Sequence, residues 1–373
     1  MRPRAVVAAL LLPPAMTVID LFAGPGGWDL GARTVGLDPV GIELDEDACQ
    51  TRHAAGLRTI QADASRLPIP ARLEVDGLIA SPPCPDFSTA GKGAGITGET
   101  GRLMWTVPRF VEQYRPRWVA CENVPPALPW WAQFAEAFRG LGYRTWCGVL
   151  NAADFGVPQT RKRAFLLASL DREPHPPLAS HSRCPTDGMF GTERPWVSMA
   201  QALDWPDDYK AGFPRRDDLG TSPDGYRERD WRQATEPAFA MTEKGRSWMV
   251  NTGRDWKPGG TRADAQRIPA SRPSPALTAI TGGQWTIERP ATTIAGDSRC
   301  FPPGGHKAND GRDNSRMVGR SEGAIKLSEP EGLILQGFPP DYPIRGRTKT
   351  SRWRQIGNAV CPPVAARILE QFT

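Results

Sequence analysis

Three stretches of this sequence carry side chains that could act together on an electrophilic ring. The first is SPPCPDFS, Ser81–Ser88, where one thiol, Cys84, sits among three prolines. A thiolate is a nucleophile and can attack C6 of a pyrimidine. Proline stiffens the backbone, so a thiol held this way loses little freedom on approach. The second is CENVPP, which places Glu122 38 residues after Cys84. A carboxylic acid there can protonate or hydrogen-bond N3 of a cytosine and make C6 electrophilic. The third is NAADFGVPQTRKRAFLLAS, with Gln159, Arg161 and Arg163 ahead of an apolar run. Alternating arginines point to one side and suit a base O2 and nearby phosphates. Each stretch alone also fits a plain structural role. Cys84 could be a small buried hydrophobe, Glu122 a surface acid and the arginines a solvated charge run.

A fourth stretch, DLFAGPGGWDLG, has Gly24, Gly26 and Gly27 between a β-type run and a helical one. Such glycines let a ligand approach the backbone closely. Glu43, at the end of the next apolar run, is placed to bind ribose hydroxyls. A dinucleotide and S-adenosylmethionine both fit this pattern, and a plain tight turn would look similar. No lysine of the phosphate-loop type follows the glycines, which argues against a nucleoside triphosphatase.

These residues must be positioned by something. TVIDLF, LDPVGIELD, TIQAD, VDGLIASPPC, RWVACENV and RAFLLAS read as strands, and WDLGARTVG and EDACQTRHAAG as helices. Alternating strands and helices predict an α/β fold with a doubly wound parallel sheet. Ligands of such sheets bind at the carboxyl ends of the strands, and every motif above lies at such an end.

Composition narrows the rest. At 39% hydrophobic, the 373 residues can bury a large core. Gly and Pro, 38 each, imply many turns. A net charge of +5 permits a polyanionic partner without requiring one. Seven cysteines with no CxxC pair argue against a disulfide framework or zinc finger, and His175, His181 and Cys184 make an incomplete metal set. Residues 1–16 hold an apolar run too short to span a membrane. They read as an unstructured extension ahead of an intracellular domain, with Met16 a candidate functional start, rather than as a secretory signal. Residues 181–325 are rich in Gly, Pro, Arg and Trp. Pro-Ala followed by a β-type run recurs there at Pro237, Pro275 and Pro290, which predicts short strands in a loop-rich β subdomain. QIGNAVCPPVAARILEQF ends as an apolar-periodic helix that can return to the first domain.

In this order the motifs resemble those of the DNA (cytosine-5) methyltransferase family. DLFAGPGGWDLG is similar to its cofactor loop, SPPCPDFS to its nucleophile motif, ENV to its glutamate motif and QTRKR to its Q-x-R-x-R motif. KLSEPEGLILQGFPPDYP and QIGNAV resemble its last two motifs. Pro85 stands where the family usually has Gln, and Lys326 where it usually has Arg. The resemblance implies a Rossmann-like catalytic domain over residues 17–180, a target recognition domain over 181–325 and a return segment over 326–373. It implies that Cys84 adds to C6, Glu122 assists at N3, Arg163 contacts O2 and Arg161 lies near the phosphate. It implies S-adenosylmethionine as cofactor, lined by Phe22, Gly24, Gly26, Glu43, Leu44, Asp63, Ala64, Pro83, Asn358 and Val360. Phe22 would stack near the cofactor, Glu43 hold the ribose and Asp63 the adenine amino group. The implied partner is double-stranded DNA, bound by a monomer that flips its target base. Any restriction endonuclease would be a separate chain. A tRNA methyltransferase of the same fold and a non-catalytic DNA-binding module are the alternatives. A dinucleotide oxidoreductase is disfavoured because no Tyr-Lys set follows the glycines.

Overall fold

Val18–Leu21 (β1) is four apolar or acidic residues, all buried, and it lies inside the principal sheet, flanked by a strand on each side. The computed structural model describes residues 17–67, 74–83, 98, 100–185, 187–188, 191–212, 231–241, 249–251 and 324–373. Cys84, residues 1–16 and the expected strands after Pro275 and Pro290 lie outside the described residues.

In its first half the chain alternates as predicted through the third strand, and two helices beyond the predicted ones follow. After β1 come helix α1 (Gly27–Thr34), β2 (Val40–Glu43), α2 (Glu46–Ala54), β3 (Thr59–Gln61) and β4 (Gly77–Ala80). Then follow α3 (Thr106–Tyr114), β5 (Trp118–Asn123) and α4 (Leu128–Gly140). Asp45 caps α2, its carboxylate accepting from the Ala48 amide at 3.0 Å. β6 (Arg144–Asn151), the short β7 (Gln159–Thr160) and β8 (Lys162–Ser169) complete this half. The sheet order is β3-β2-β1-β4-β5-β8-β6.

The expectation of a wholly parallel sheet is corrected here. β1 to β5 are parallel, but β8 runs antiparallel to β5 and β6 antiparallel to β8. The connection between β6 and β8 holds only a 3-10 turn, Ala152–Phe155, and β7. A parallel neighbour needs a crossover of about a dozen residues or more, usually helical. Without one, β8 must return beside β6 in the opposite sense. β6 itself was not anticipated, since it is a half-exposed edge strand with weak apolar alternation.

Two cores cover the sheet's faces. On one, Met104, Val107, Phe110, Phe134 and Phe138 pack on Ile19, Leu21, Leu78 and Val119. On the other, Trp28 and Ala32 of α1 meet Val364, Ala365 and Ile368 of α8 (Pro362–Leu369). The return segment thus docks on the first helix, as its periodicity predicts. The approach is close: a Cβ on Gly31 would lie 2.6 Å from the Ala365 Cβ.

A third core joins the rest. Strands Trp231–Gln233, Lys210–Gly212, Met249–Asn251 and Ala324–Lys326 form an antiparallel sheet in that order. Ala211 and Val250 from it pack with α5 (Met199–Leu203) and with Leu333, Phe338, Trp353 and Ile356 of the return segment. Ala324–Lys326 straddles the expected boundary at residue 326. α6 (Glu329–Leu335) opens with a capping box between Ser328 and Glu331, and α7 (Lys349–Asn358) is capped by Thr348.

Candidate active site

Glu122 lies near the carboxyl end of β5 and Arg163 near the start of the neighbouring β8, so antiparallel pairing brings them together. Arg163 Nε stands 3.0 Å from Glu122 Oε1. Glu122 is buried, and that burial pushes its carboxyl above the ordinary carboxylate range. The charges of Arg163 and Arg161, and hydrogen bonds from Ser81 and Arg163, oppose the shift without cancelling it. Glu122 is therefore an acid that can hold a proton while two donors aim its oxygens.

Ser81 and Asn123 were not singled out from sequence, yet they build this corner. Ser81 Oγ accepts from the Trp28 indole at 2.9 Å, and its own hydroxyl bonds Glu122. The Ser81 amide continues the β1 ladder, donating to Leu21 O at 3.1 Å. Asn123 Nδ2 donates to Pro82 O at 3.2 Å, and its Oδ1 accepts from the Val124 amide at 2.8 Å. The peptide leading to Cys84 is thereby tied to the residue beside Glu122. The signal was available: Ser81 begins the prolyl motif and Asn123 follows the glutamate.

Arg161 departs from its expected position near a phosphate. It is 2% exposed. Its Nη1 donates to Met241 O at 2.8 Å and Gly357 O at 2.9 Å, and its Nη2 to Ala359 O at 3.1 Å. Gln159, also buried, donates to Leu335 O and Gln336 Oε1, both at 2.9 Å, and accepts from the Met241 amide at 2.8 Å. β7 pairs in parallel with Ala238–Phe239, the first of the Pro-Ala strands. QTRKR thus splits at the break between β7 and β8, where Arg161 lies outside both strands. Gln159 and Arg161 bind three distant chain segments together, while Arg163 reaches Glu122. Glu122, Arg161, Arg163, Phe165, Val360 and Cys361 line a recess at this junction.

The carboxyl ends of β1, β2 and β3 make a second, adjoining cradle. Phe22 has φ 59°, a left-handed conformation that is uncommon outside glycine and often marks a ligand site. Gly24 has φ 55°, and a Cβ there would meet nothing within 4 Å. Glu43 Oε2 accepts from the Gly24 amide at 2.7 Å, and Oε1 from those of Leu44 and Asp45, each at 2.7 Å. A carboxylate offers about four acceptor positions, so this one keeps capacity for a hydroxyl donor. Leu44 is 63% exposed, an apolar side chain open to a flat ring. Asp63 accepts from the Ser65 amide and hydroxyl at 2.9 and 2.6 Å and stays partly exposed. These groups suit the apolar ring, ribose diol and amine of an adenosyl group.

Other expected residues sit differently. A Cβ on Gly26 would lie 2.3 Å from Leu57 Cδ1, and one on Gly27 2.1 Å from Val360 O. These two glycines admit protein, and only Gly24 opens outward. Val360 is buried against α1, as is Ala64 beneath the β3 turn, so any ligand contact there is through backbone. Asn358 is exposed at the end of α7, and Pro83 is half-buried beside the prolyl loop.

The family model for C-5 cytosine-specific DNA methylases matches residues 16–373. The chain is 29% identical to the Type II methyltransferase M1.HphI of Haemophilus parahaemolyticus, over 95% of this chain and 86% of that protein. It is 26% identical to M.DdeI of Desulfomicrobium norvegicum, over 96% and 88%. Its fold is similar to those of the S. pombe Dnmt2 methyltransferase and the Entamoeba histolytica methyltransferase EhMeth. Each superposes with a TM-score of 0.55 at 12% identity, over 96% of this chain and 98% of the other. With the motif order, the mixed seven-stranded sheet and a match along almost the whole sequence, the chain belongs to the C-5 cytosine-specific DNA methylase family.

Proposed function

We propose that this protein is the modification enzyme of a Type II restriction-modification system, methylating C5 of one cytosine within a short site in double-stranded DNA. The observation that carries this reading is the buried Glu122 acid, aimed by Arg163 at 3.0 Å. It stands next to Asn123, which holds the peptide leading to Cys84. The reacting cytosine flips out of the duplex, because its C6 face is closed inside the stack. Cys84 Sγ, as thiolate, forms a bond to C6 while Glu122 donates its proton toward N3. Arg163 contacts O2 and keeps Glu122 oriented. S-adenosylmethionine, the donor of this family, supplies an electrophilic methyl group to the C5 so activated. A base then takes the C5 proton, the C6–S bond breaks, and Cys84 leaves as thiolate.

Gly24, Phe22, Glu43, Leu44 and Asp63 hold the adenosyl group, with backbone from Gly26, Ala64, Pro83 and Val360 and the exposed Asn358 around it. Residues 181–325 read the flanking bases. Arg161 acts by positioning rather than on a phosphate. The enzyme works as a monomer in the cytoplasm, and its cognate endonuclease is a separate chain.

Bisulfite sequencing of host DNA expressing the protein, beside a Cys84→Ser control, tests this. Protection at one short motif, absent in the control, is the expected result. Soluble protein that protects no cytosine overturns the DNA reading. A parallel assay on tRNA then decides between the RNA enzyme and a binding module.

A further inference from the structure

Beneath the glycine loop lies an ionic cluster made of Asp20 and Asp29, which stand within DLFAGPGGWDLG with no role among those the resemblance implies, and Arg52, which stands outside every motif. Arg52 of α2 is wholly buried, and its fork meets Asp29 of α1 in two bonds, Nη1 to Oδ2 and Nη2 to Oδ1, both 2.7 Å. Asp29 is 1% exposed. The remaining donors of Arg52 are also used. Nε reaches Thr59 Oγ1 at 3.1 Å, Nη2 reaches Arg58 O at 3.1 Å and Nη1 reaches Ala23 O at 3.4 Å. One guanidinium thus touches the cofactor loop, α1, α2 and the approach to β3.

The surrounding residues are shaped around it. A Cβ on Gly41 would lie 1.9 Å from Arg52 Nη2, so β2 leaves a gap for the fork. Asp20 of β1 is also fully buried, and its two carboxyl oxygens meet no donor among the described residues. It interacts with the Asp29 carboxyl, and burial first, then that charge, raises its pKa well above the ordinary carboxylate value.

The loop above is tied at each peptide. The Ala23 amide donates to Ile42 O at 3.2 Å and Gly26 N to Ala23 O at 3.3 Å. Gly24 N donates to Glu43, and the Tyr342 hydroxyl donates to Pro25 O. Of these ties, the Arg52 fork is the one that also fixes the start of α1. Buried ion pairs add little to stability against an apolar pair of equal volume, so a pair kept here needs another reason.

We propose that Asp29 and Arg52 are positioning residues that set the glycine loop for the methyl donor, so that cofactor affinity depends on the pair more than folding does. The inference rests on the reading that Gly24 and Glu43 cradle the adenosyl group. The test compares unfolding midpoint with S-adenosylhomocysteine affinity by calorimetry in the full chain. The double variant Asp29→Leu/Arg52→Met is expected to melt within a few degrees of the parent and to bind at least tenfold more weakly. Arg52→Lys keeps the charge but loses the fork. It is expected to fold and to bind about fivefold more weakly, with faster hydrogen exchange at the amides of residues 23–27. If either variant folds, binds like the parent and shows parental exchange there, the pair is packing alone and the proposal fails. If the parent itself does not bind S-adenosylhomocysteine, the cofactor reading fails instead. Parental exchange at residues 23–27 in Arg52→Lys would still overturn the loop-setting role.

Discussion

Arg163 Nε and Glu122 Oε1 stand 3.0 Å apart across two antiparallel strands, in a corner where the arginine is 18% and the glutamate 8% exposed by side chain. The pair couples two opposing effects on one proton. Burial favours the neutral acid, and the guanidinium favours the anion. Burial wins, so the Glu122 carboxyl sits above the ordinary carboxylate range.

Glu122→Gln is expected to lower single-turnover methylation by about a hundredfold or more, the usual range for a general acid. In the parent the rate should fall as pH rises through the raised Glu122 value, and the variant should lack that limb. Stability carries the same sign. Folding favours protonated Glu122, so its contribution is full below the ordinary carboxylate value and is lost as pH rises through the raised one. Urea unfolding of both proteins across about pH 5 to 8 reads this difference.

Arg163→Ala removes the attraction that holds the Glu122 value down. The alkaline limb should therefore move to higher pH, while the rate drops about tenfold or more, as expected for a charge-assisted bond of about 1.5–3 kcal/mol. A pH–rate profile that drops without moving would separate the two residues.

Arg161→Ala should act on folding. It leaves the carbonyls of Met241 and Gly357 without their buried donor, while Ala359 O keeps that of Gln336 Nε2, a loss of about 3 kcal/mol. Denaturant titration measures it. Loss of a phosphate contact would instead reduce the slope of DNA affinity against salt by about 1, and that slope should stay unchanged in Arg161→Met that still folds.

The glycines of the loop should separate by function. Gly27→Ala drives a methyl into Val360 O and should destabilise the fold by about 1–3 kcal/mol. Gly24→Ala meets no atom but forces alanine to φ 55°, a cost of about 1 kcal/mol. It should weaken S-adenosylhomocysteine binding more than it lowers the melting point. Thermal shift with and without ligand distinguishes the two.

Much of this protein was legible in its sequence, because local chemistry wrote it there. The strands through residue 123, the two helices between the first three of them and the returning apolar-periodic helix follow from periodicity. The candidacy of Cys84, Glu122 and Arg163 follows from the order of the motifs, which resembles that of the family, since each stretch alone also fits a structural role. What only the tertiary structure decided depends on partners far away in the chain. Arg161 and Arg163 are equal in type and two residues apart, yet the break between β7 and β8 leaves Arg161 on backbone carbonyls 80 or more positions distant, while Arg163, inside β8, reaches Glu122. Gly26 and Gly27 read as ligand-facing glycines, but Tyr342, Leu57 and Val360 fill the space above them. Asp29 stands in the glycine motif and Arg52 in none, and neither side chain shows by itself that the other lies within a hydrogen bond. Pairing of that kind is set by how helices and strands pack, and no local pattern encodes it.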